Sequence, residues 1–259
     1  MVTKAGFLKA FKFWKMFVDG FICTVSLSAL TVIFGFILAL LIAMMRLSNI
    51  RPFKSIGIDK YGSEKQGFVG ALSKFNPVSF LATCYVEIIR ATPMLVQLFV
   101  VYYIIFPILP FKIPRYMLFG RIRFERFLPG VCALALNSAA YLSEIIRSGI
   151  QSIDGGQTEA ARSLGLSQWQ SLRLIVLPQA IKNILPAIAN EFVTIIKESS
   201  ITYTIGVQDI MYAVQSVKGS TYSIAEPLLM SAVIYFLLTF PTSKIIAHFE
   251  RKMSKGDKR

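Results

Sequence analysis

The sequence predicts an all-α integral membrane protein with about five transmembrane helices. Three observations carry this. Charged residues make up 16% of the 259 residues and hydrophobic ones 54%, against roughly 25% charged in a soluble domain. Residues 20–45 run for 26 positions without a charge, and residues 91–111 are likewise uncharged; a helix needs about 20 apolar residues to cross hydrocarbon. The Lys and Arg side chains gather between the apolar runs rather than inside them. The net charge of +14 therefore reads as loops facing anionic headgroups and the cytoplasm. No nucleic-acid recognition motif accompanies it.

The elements follow in order. Residues 1–18 carry Lys4, Lys9, Lys12 and Lys15 and read as a basic amphipathic segment on the membrane surface. The uncharged run that follows is longer than the about 7–15 residues of a signal-peptide core, so a retained first span is expected over about 19–45. A second span covers about 79–111, with Pro93 starting or kinking it and Thr92 placed to satisfy backbone groups freed there. The third, about 127–149, contains Glu144. The fourth, about 184–206, is interrupted by Pro186, Glu191, Lys197 and Glu198. The fifth, about 223–246, has Glu226 and Pro227 near its start. The membrane domain thus spans 19–246, followed by a basic tail, 247–259. With five spans, sixteen basic residues fall on the side of the 46–78 and 147–182 loops and the tail, and ten on the other. The positive-inside rule then puts the C-terminus in the cytoplasm and the N-terminus outside, although the outer 112–126 loop is itself basic.

Cys23, Cys84 and Cys132 are widely spaced, and the single histidine, His248, lies near the C-terminus. This pattern excludes a zinc site and a histidine-based catalytic triad; the cysteines read as small buried apolar residues.

The loop between the third and fourth spans, about 150–180, is the most informative segment. Glu159-Ala160-Ala161 is followed by Gly165, Leu166 and Trp169, and then by Ile175, Leu177 and Pro178. Ala160 and Ala161 let another helix approach closely. Gly165 permits a sharp turn, Leu164, Leu166 and Trp169 form an apolar knob, and Pro178 is expected to end the loop helix and start the return to the membrane. Such an ordered loop on a basic surface suggests a docking element; Trp169 serves equally well as an interfacial anchor.

The spacing E-A-A, three residues, G, nine residues, I, one residue, L-P resembles the cytoplasmic signature of permease subunits of bacterial ABC importers. The stretch Arg90-Ala91-Thr92-Pro93-Met94-Leu95-Val96-Gln97 is similar to the R-G/A-T-P-x-x-V-Q segment of the polar amino acid subfamily. The stretch Asn137-Ser138-Ala139-Ala140-Tyr141-Leu142-Ser143-Glu144-Ile145-Ile146-Arg147 is similar to its N-S-x-A-Y-x-x-E-x-x-R segment. The similarity covers about 80–210. It implies the type I ABC importer permease fold, with residues 150–180 holding a cytoplasmic coupling helix. It also implies the bacterial cytoplasmic (inner) membrane and alternating access for an amino acid. The implied partners are two ATPase subunits gripping Glu159, Ala160, Ala161, Gly165, Leu166 and Trp169, a second permease subunit, and an extracytoplasmic amino-acid-binding protein. The 51–76 loop is longer than the family usually has, and no role is assigned to it. The chain contains no G-x-x-x-x-G-K-[ST] phosphate loop and no Gly-Lys dipeptide. ATP and Mg are therefore expected on the separate ATPase, with no cofactor and no catalytic residue on this chain.

Ionisable groups at membrane depth cost several kcal/mol unless paired or hydrated, so they mark a pathway by default. Asn137, Tyr141 and Glu144 follow i, i+4, i+7 and share one helical face. An amino acid's ammonium needs acceptors, and its carboxylate needs donors. Glu144 either takes an ammonium or pairs with Arg147 or another helix and locks the fold. Glu87 and Arg90 are spaced to pair with each other, a structural or gating role. Glu191 and Glu198 share a face and line either a wet cavity or a protein-buried helix with mutual ion pairs. Other readings are a permease for another small polar solute, a stand-alone channel or secondary transporter, which would need no ATPase dock, and an intramembrane enzyme, which would need a nucleophile–base pair or metal ligands.

Overall fold

A computed structural model describes residues 2–48, 50–53, 67–110, 112–118 and 120–254, and helices dominate it. Lys54, Lys60 and Lys65 of the 51–76 loop, and Lys255, Lys258 and Arg259 of the tail, lie outside the described residues. A short helix α1 (Lys4–Phe11), N-capped by Thr3, leads into the long apolar α2 (Trp14–Leu47). Then come α3 (Gly67–Lys74), α4 (Pro77–Ala91), α5 (Met94–Val100) and α6 (Phe106–Ile108). A hairpin of β1 (Met117–Leu118) and β2 (Ile122–Arg123), paired antiparallel with Met117 opposite Arg123, feeds α7 (Phe124–Gln151). After it lie α8 (Gly155–Ser163), α9 (Gln168–Ser171), α10 (Leu177–Glu198), α11 (Ile210–Thr221) and α12 (Ala225–Ser254).

Among the described residues, four helical runs are long and apolar enough to cross a membrane: Trp14–Leu47, Phe124–Gln151, Gln168–Ile205 and Ala225–Lys252. The pair Pro77–Ala91 and Met94–Ile108 makes a fifth if counted as one span. The second span expected as a single stretch over 79–111 is thus two arms, bent by 113°. Pro93 causes the break: Thr92 before it is extended (ψ 145°), as a residue preceding proline prefers.

Pro178 does not end the loop helix, which corrects the sequence expectation. It sits in the first turn of α10 within a helical run that starts at Gln168. The preceding turn, Leu172–Val176, is a π turn closed by Leu177 N–H donating to Leu172 O. Val101–Ile105 repeats this, with Phe106 N–H donating to Val101 O just before Pro107. In both places the proline removes a donor and crowds the carbonyl four residues back. One extra residue in the turn accommodates the ring without stopping the helix. The fourth span therefore begins well before residue 184.

α7 is the buried centre of the bundle. Its inner face is Ala, Gly and Ser rich: Gly130, Ala133, Ser138, Ala139, Ala140, Ser143 and Gly149 are all buried. Between apolar helices in lipid, small residues provide close van der Waals packing where no hydrophobic force distinguishes helix from lipid. A Cβ on Gly35 of α2 would stand 3.2 Å from Ser138 Cβ, and one on Gly149 would stand 2.3 Å from Ile184 Cγ1 of α10. Ala39 and Ala43 of α2, Leu142 and Ile146 of α7, and Ala180 and Ile184 of α10 form one core. At the other end of α2, Ala10, Phe17, Ile210, Val214 and Val217 form another. This second core holds α11, for which the hydropathy pattern predicts no span. Glu226, 2% exposed, accepts Thr3 N–H at 3.1 Å and pins α1 to the start of α12.

Candidate functional site

The 150–180 loop folds as two helices joined by a four-residue turn, residues 164–167. Asp154 caps α8 by accepting Gly156 N–H at 2.8 Å. At the other end Leu166 N–H donates to Ala161 O (3.2 Å) and Gly165 N–H to Arg162 O (3.0 Å). That pair of bonds is a Schellman termination, which places the residue after the cap in the left-handed region; Gly165 has φ +89°. Ser167 then caps α9 through a reciprocal capping box with Gln170, satisfying two otherwise orphaned donors. Every turn of the loop is thus fixed by a local hydrogen bond.

The result is a rigid projection. Leu164 is 85% and Trp169 65% exposed, while Leu166 is half-buried. Glu159 and Ala160 face out, and Ala161 is buried against the neighbouring turns. Two large apolar side chains are thus held exposed at a tightly hydrogen-bonded turn.

Inside the bundle the named residues separate into two clusters. At the Pro93 break, Thr92 Oγ1 donates to Ile88 O at 2.9 Å. Gln97 of α5 reaches back, its Nε2 donating to Ile89 O (2.7 Å), Thr92 O (3.0 Å) and Thr92 Oγ1 (2.8 Å). Its Oε1 accepts Asn137 Nδ2 of α7 at 2.9 Å. Asn137 is therefore buried and engaged. One turn on, the Arg90 guanidinium lies 5.6 Å from the centre of the Tyr141 ring. Arg90 is stacked on this ring rather than paired with Glu87 as its spacing suggested: the broken span turns it toward α7, and a cation over an aromatic face is stabilised by the ring quadrupole.

The second cluster is ionic. Glu144 pairs with Arg147 on its own helix and with Arg46 of α2, and Arg147 also donates to Gln151. The Arg46 side chain is 10% exposed and that of Glu144 24%. Of the readings open for Glu144, the geometry presents the interhelical lock. Asn137, Tyr141 and Glu144 share a face of α7 but hold three different partners. Glu191 is half-buried on α10, at neither cluster.

Three contributors escaped the sequence reading. Gln97 lay inside the R-A-T-P-x-x-V-Q stretch, which carried the signal without the role. Arg46 reads in the sequence only as a loop cation. Asp209 is 1% exposed; its Oδ1 caps α11 by accepting Tyr212 N–H at 2.8 Å, and its Oδ2 is buried with no hydrogen-bond partner among the described residues. Burial pushes this carboxyl up to about 8, against the lowering effect of backbone donors that include Tyr212 and Met211 N–H.

Residues 67–255 match the family described as binding-protein-dependent transport system inner membrane component. The arginine transport system permease protein ArtQ of Bacillus subtilis (strain 168) is 34% identical over 239 residues, 92% of this chain and 93% of that protein. The putative glutamine transport system permease protein GlnP of Rickettsia conorii is 34% identical over 236 residues, 91% of this chain and 92% of that protein. A crystal structure of an amino acid ABC transporter with histidines superposes with a TM-score of 0.78 at 38% identity, covering 97% of this chain and all of that one. On the family match, the near full-length relatives and the shared fold, this chain belongs to the family of binding-protein-dependent transport system inner membrane components.

Proposed function

We propose that this chain is the transmembrane permease subunit of an ATP-driven importer for an amino acid. One half of the path is this chain, and the other is a second permease subunit. The α8–α9 turn is the coupling element held by the ATPases, with Glu159, Ala160, Ala161, Gly165, Leu166 and Trp169 as its contact residues. The observation that carries this is the Schellman turn at Gly165, which presents Leu164 and Trp169 to solvent on a projection fixed at both ends.

In this reading the turn, the Arg46–Glu144–Arg147 cluster and the basic tail face the cytoplasm, and α1 and the hairpin face outward from the bacterial cytoplasmic membrane. The membrane domain runs over 19–246 between basic ends, with lipid around it. Two ATPase subunits bind ATP and Mg, and an extracytoplasmic binding protein delivers the amino acid. Closure of the ATPases moves the α8–α9 turns, and the π turn at Leu172–Val176 passes that displacement into α10. The spans then rock and the path alternates between faces. Asn137, Tyr141, Glu144 and Glu191 are the polar positions along the path. Glu87, Arg90, Pro93, Arg147 and Pro178 shape and gate it. The arginine, glutamine and histidine in the names of the relatives support an amino acid as the cargo.

The test is uptake of labelled amino acids into proteoliposomes holding the assembled complex. Wild type accumulates one amino acid with ATP inside and binding protein outside. Gly165→Val inserts normally but abolishes ATP-coupled uptake. ATP-independent uptake by this chain alone would overturn the reading.

A further inference from the structure

Helix α1 is held down on one face and left open on the other. Thr3 N–H donates to Glu226 Oε1 at 3.1 Å, and a Cβ on Gly6 would collide with that same carboxyl, so α1 lies directly on the start of α12. Ala10, 0% exposed, packs with Phe17, Ile210 and Val214. The opposite face carries Lys4, Leu8 and Phe11 at i, i+4, i+7, one stripe of a helix. Leu8 is 62% and Phe11 64% exposed. The helix cannot roll to bury them, because Gly6 and Ala10 fix its rotation.

Between this face, Trp14 at the start of α2, and Leu229 and Val233 of α12 lies a groove of about 670 Å³. Among the described residues Lys4 is the one charged side chain in its lining. A bound water needs about two to four polar partners, which these walls do not supply; hydrocarbon is the occupant they match. The rim is basic. Lys4, Lys9, Lys12 and Lys15 are exposed, and no acid occurs before Asp19. Lys4 forms no ion pair among the described residues. Trp and Lys are side chains that settle at headgroup level in a membrane, so the rim lies where lipid phosphates are. A second copy of this chain is a poor occupant, because it would bring the same four lysines to the same rim, and like charges repel.

We infer that this groove is a site for one anionic phospholipid, with its acyl chains against Leu8, Phe11, Leu229 and Val233 and its phosphate at Lys4. The inference goes beyond the permease reading and needs only a membrane-spanning chain. Lipid binding at an amphipathic helix grows with the apolar area buried and with attraction to anionic headgroups. The groove supplies the first and the lysines the second, so a zwitterionic lipid gains only the first. Lys9 and Lys12 lie outside the lining and add charge at longer range, which salt screens. A lipid seated here touches α1, α2 and α12 together, and so ties the start of the first span to the start of the fifth.

The experiment uses the full chain in neutral detergent with Trp169→Phe, which leaves Trp14 as the sole tryptophan. Phosphatidylglycerol or phosphatidylcholine with brominated acyl chains is added in steps, and bromine touching the Trp14 indole quenches its fluorescence. Brominated phosphatidylglycerol should quench saturably, with half-quenching at a mole fraction roughly fivefold or more below that of the phosphatidylcholine. Unbrominated phosphatidylglycerol should restore the emission by competition. Lys4→Gln should erase most of the gap between the two lipids, Lys9→Gln should narrow it by about twofold at most, and Leu8→Gln should weaken both lipids. All three positions are exposed, so helical circular dichroism should match that of the parent. Equal half-quenching by the two lipids would overturn the inference, and this comparison needs no groove variant. Equal effects of Lys4→Gln and Lys9→Gln would overturn it too, as would a Trp14 that neither lipid quenches, the result if protein fills the groove. None of these failures touches the permease reading, which stands or falls on coupled uptake.

Discussion

Asn137 of α7 donates to Gln97 of α5 at 2.9 Å, and through that one amide the core of the bundle is joined to the break in the second span. Gln97 Nε2 has three oxygen acceptors within 3.0 Å, which fixes which way the amide points. Gln97→Leu keeps the volume but removes a donor from Ile89 O and Thr92 O and strands the buried Asn137 amide, the last alone at about 1–3 kcal/mol. We expect a loss of several degrees in the melting midpoint of the detergent-purified complex. Asn137→Ala strands only one acceptor and should cost less. A double-mutant cycle should give a coupling of about 1–2 kcal/mol; additive effects would show that the two side chains act separately.

Glu144 holds Arg46 and Arg147 together. Removing the shared acid leaves two buried or half-buried cations uncompensated, whereas Arg147→Gln leaves the Arg46–Glu144 pair intact. Breaking a buried pair at one partner costs about 3–5 kcal/mol, and a partly hydrated one less. Glu144→Gln should therefore lower the melting midpoint more than Arg147→Gln. A substrate contact would separate differently, with Glu144→Gln raising the KM for amino acid uptake while the melting midpoint stays put.

Much of this architecture was legible from one sequence, and the losses have local causes. The long apolar runs of α2, α7 and α12 showed in hydropathy alone. The coupling loop was legible because caps and turns are short-range: Gly165, three residues past Arg162, carries its own signature. α11 should also have been legible, since Ile210, Ala213, Val214 and Val217 repeat at helical spacing, but a 12-residue helix is too short to register as a span. Pro178 misled because a single proline reads as a stop, and the π turn that absorbs it leaves no composition signal. Arg46–Glu144 and Gln97–Asn137 join residues 98 and 40 apart, and no local pattern encodes such pairs.

At Gly165 the backbone, not the space around it, sets the requirement. A Cβ there would meet none of the described residues within 4 Å, yet φ is +89°. Gly165→Asn should therefore keep most coupled uptake, because Asn tolerates the left-handed region. Gly165→Val should lose it, because a β-branched residue there unwinds the Schellman turn. Uptake and ATPase rates in the same proteoliposomes check this; equal loss in both variants would point to direct contact at residue 165 in place of turn geometry.

Asp209 predicts a pH dependence whose sign can be worked out. Burial holds its carboxyl up to about 8 in the folded chain, against about 4 when unfolded. Between those values the folded chain keeps a proton that the unfolded chain has released. Stability then falls as pH rises through this window and levels off above it. Asp209→Asn preserves an oxygen to accept Tyr212 N–H and cannot ionise. The melting midpoint of wild type minus that of Asp209→Asn should thus decline steadily from about pH 5 to about pH 8. A flat difference would mean that Asp209 titrates alike in both states. A companion change probes the same contact sterically: a Cβ on Gly20 would lie 2.7 Å from Asp209 O and 2.9 Å from Ile210 N. Gly20→Ala should therefore force α2 and α11 apart and lower the midpoint at every pH without changing its slope.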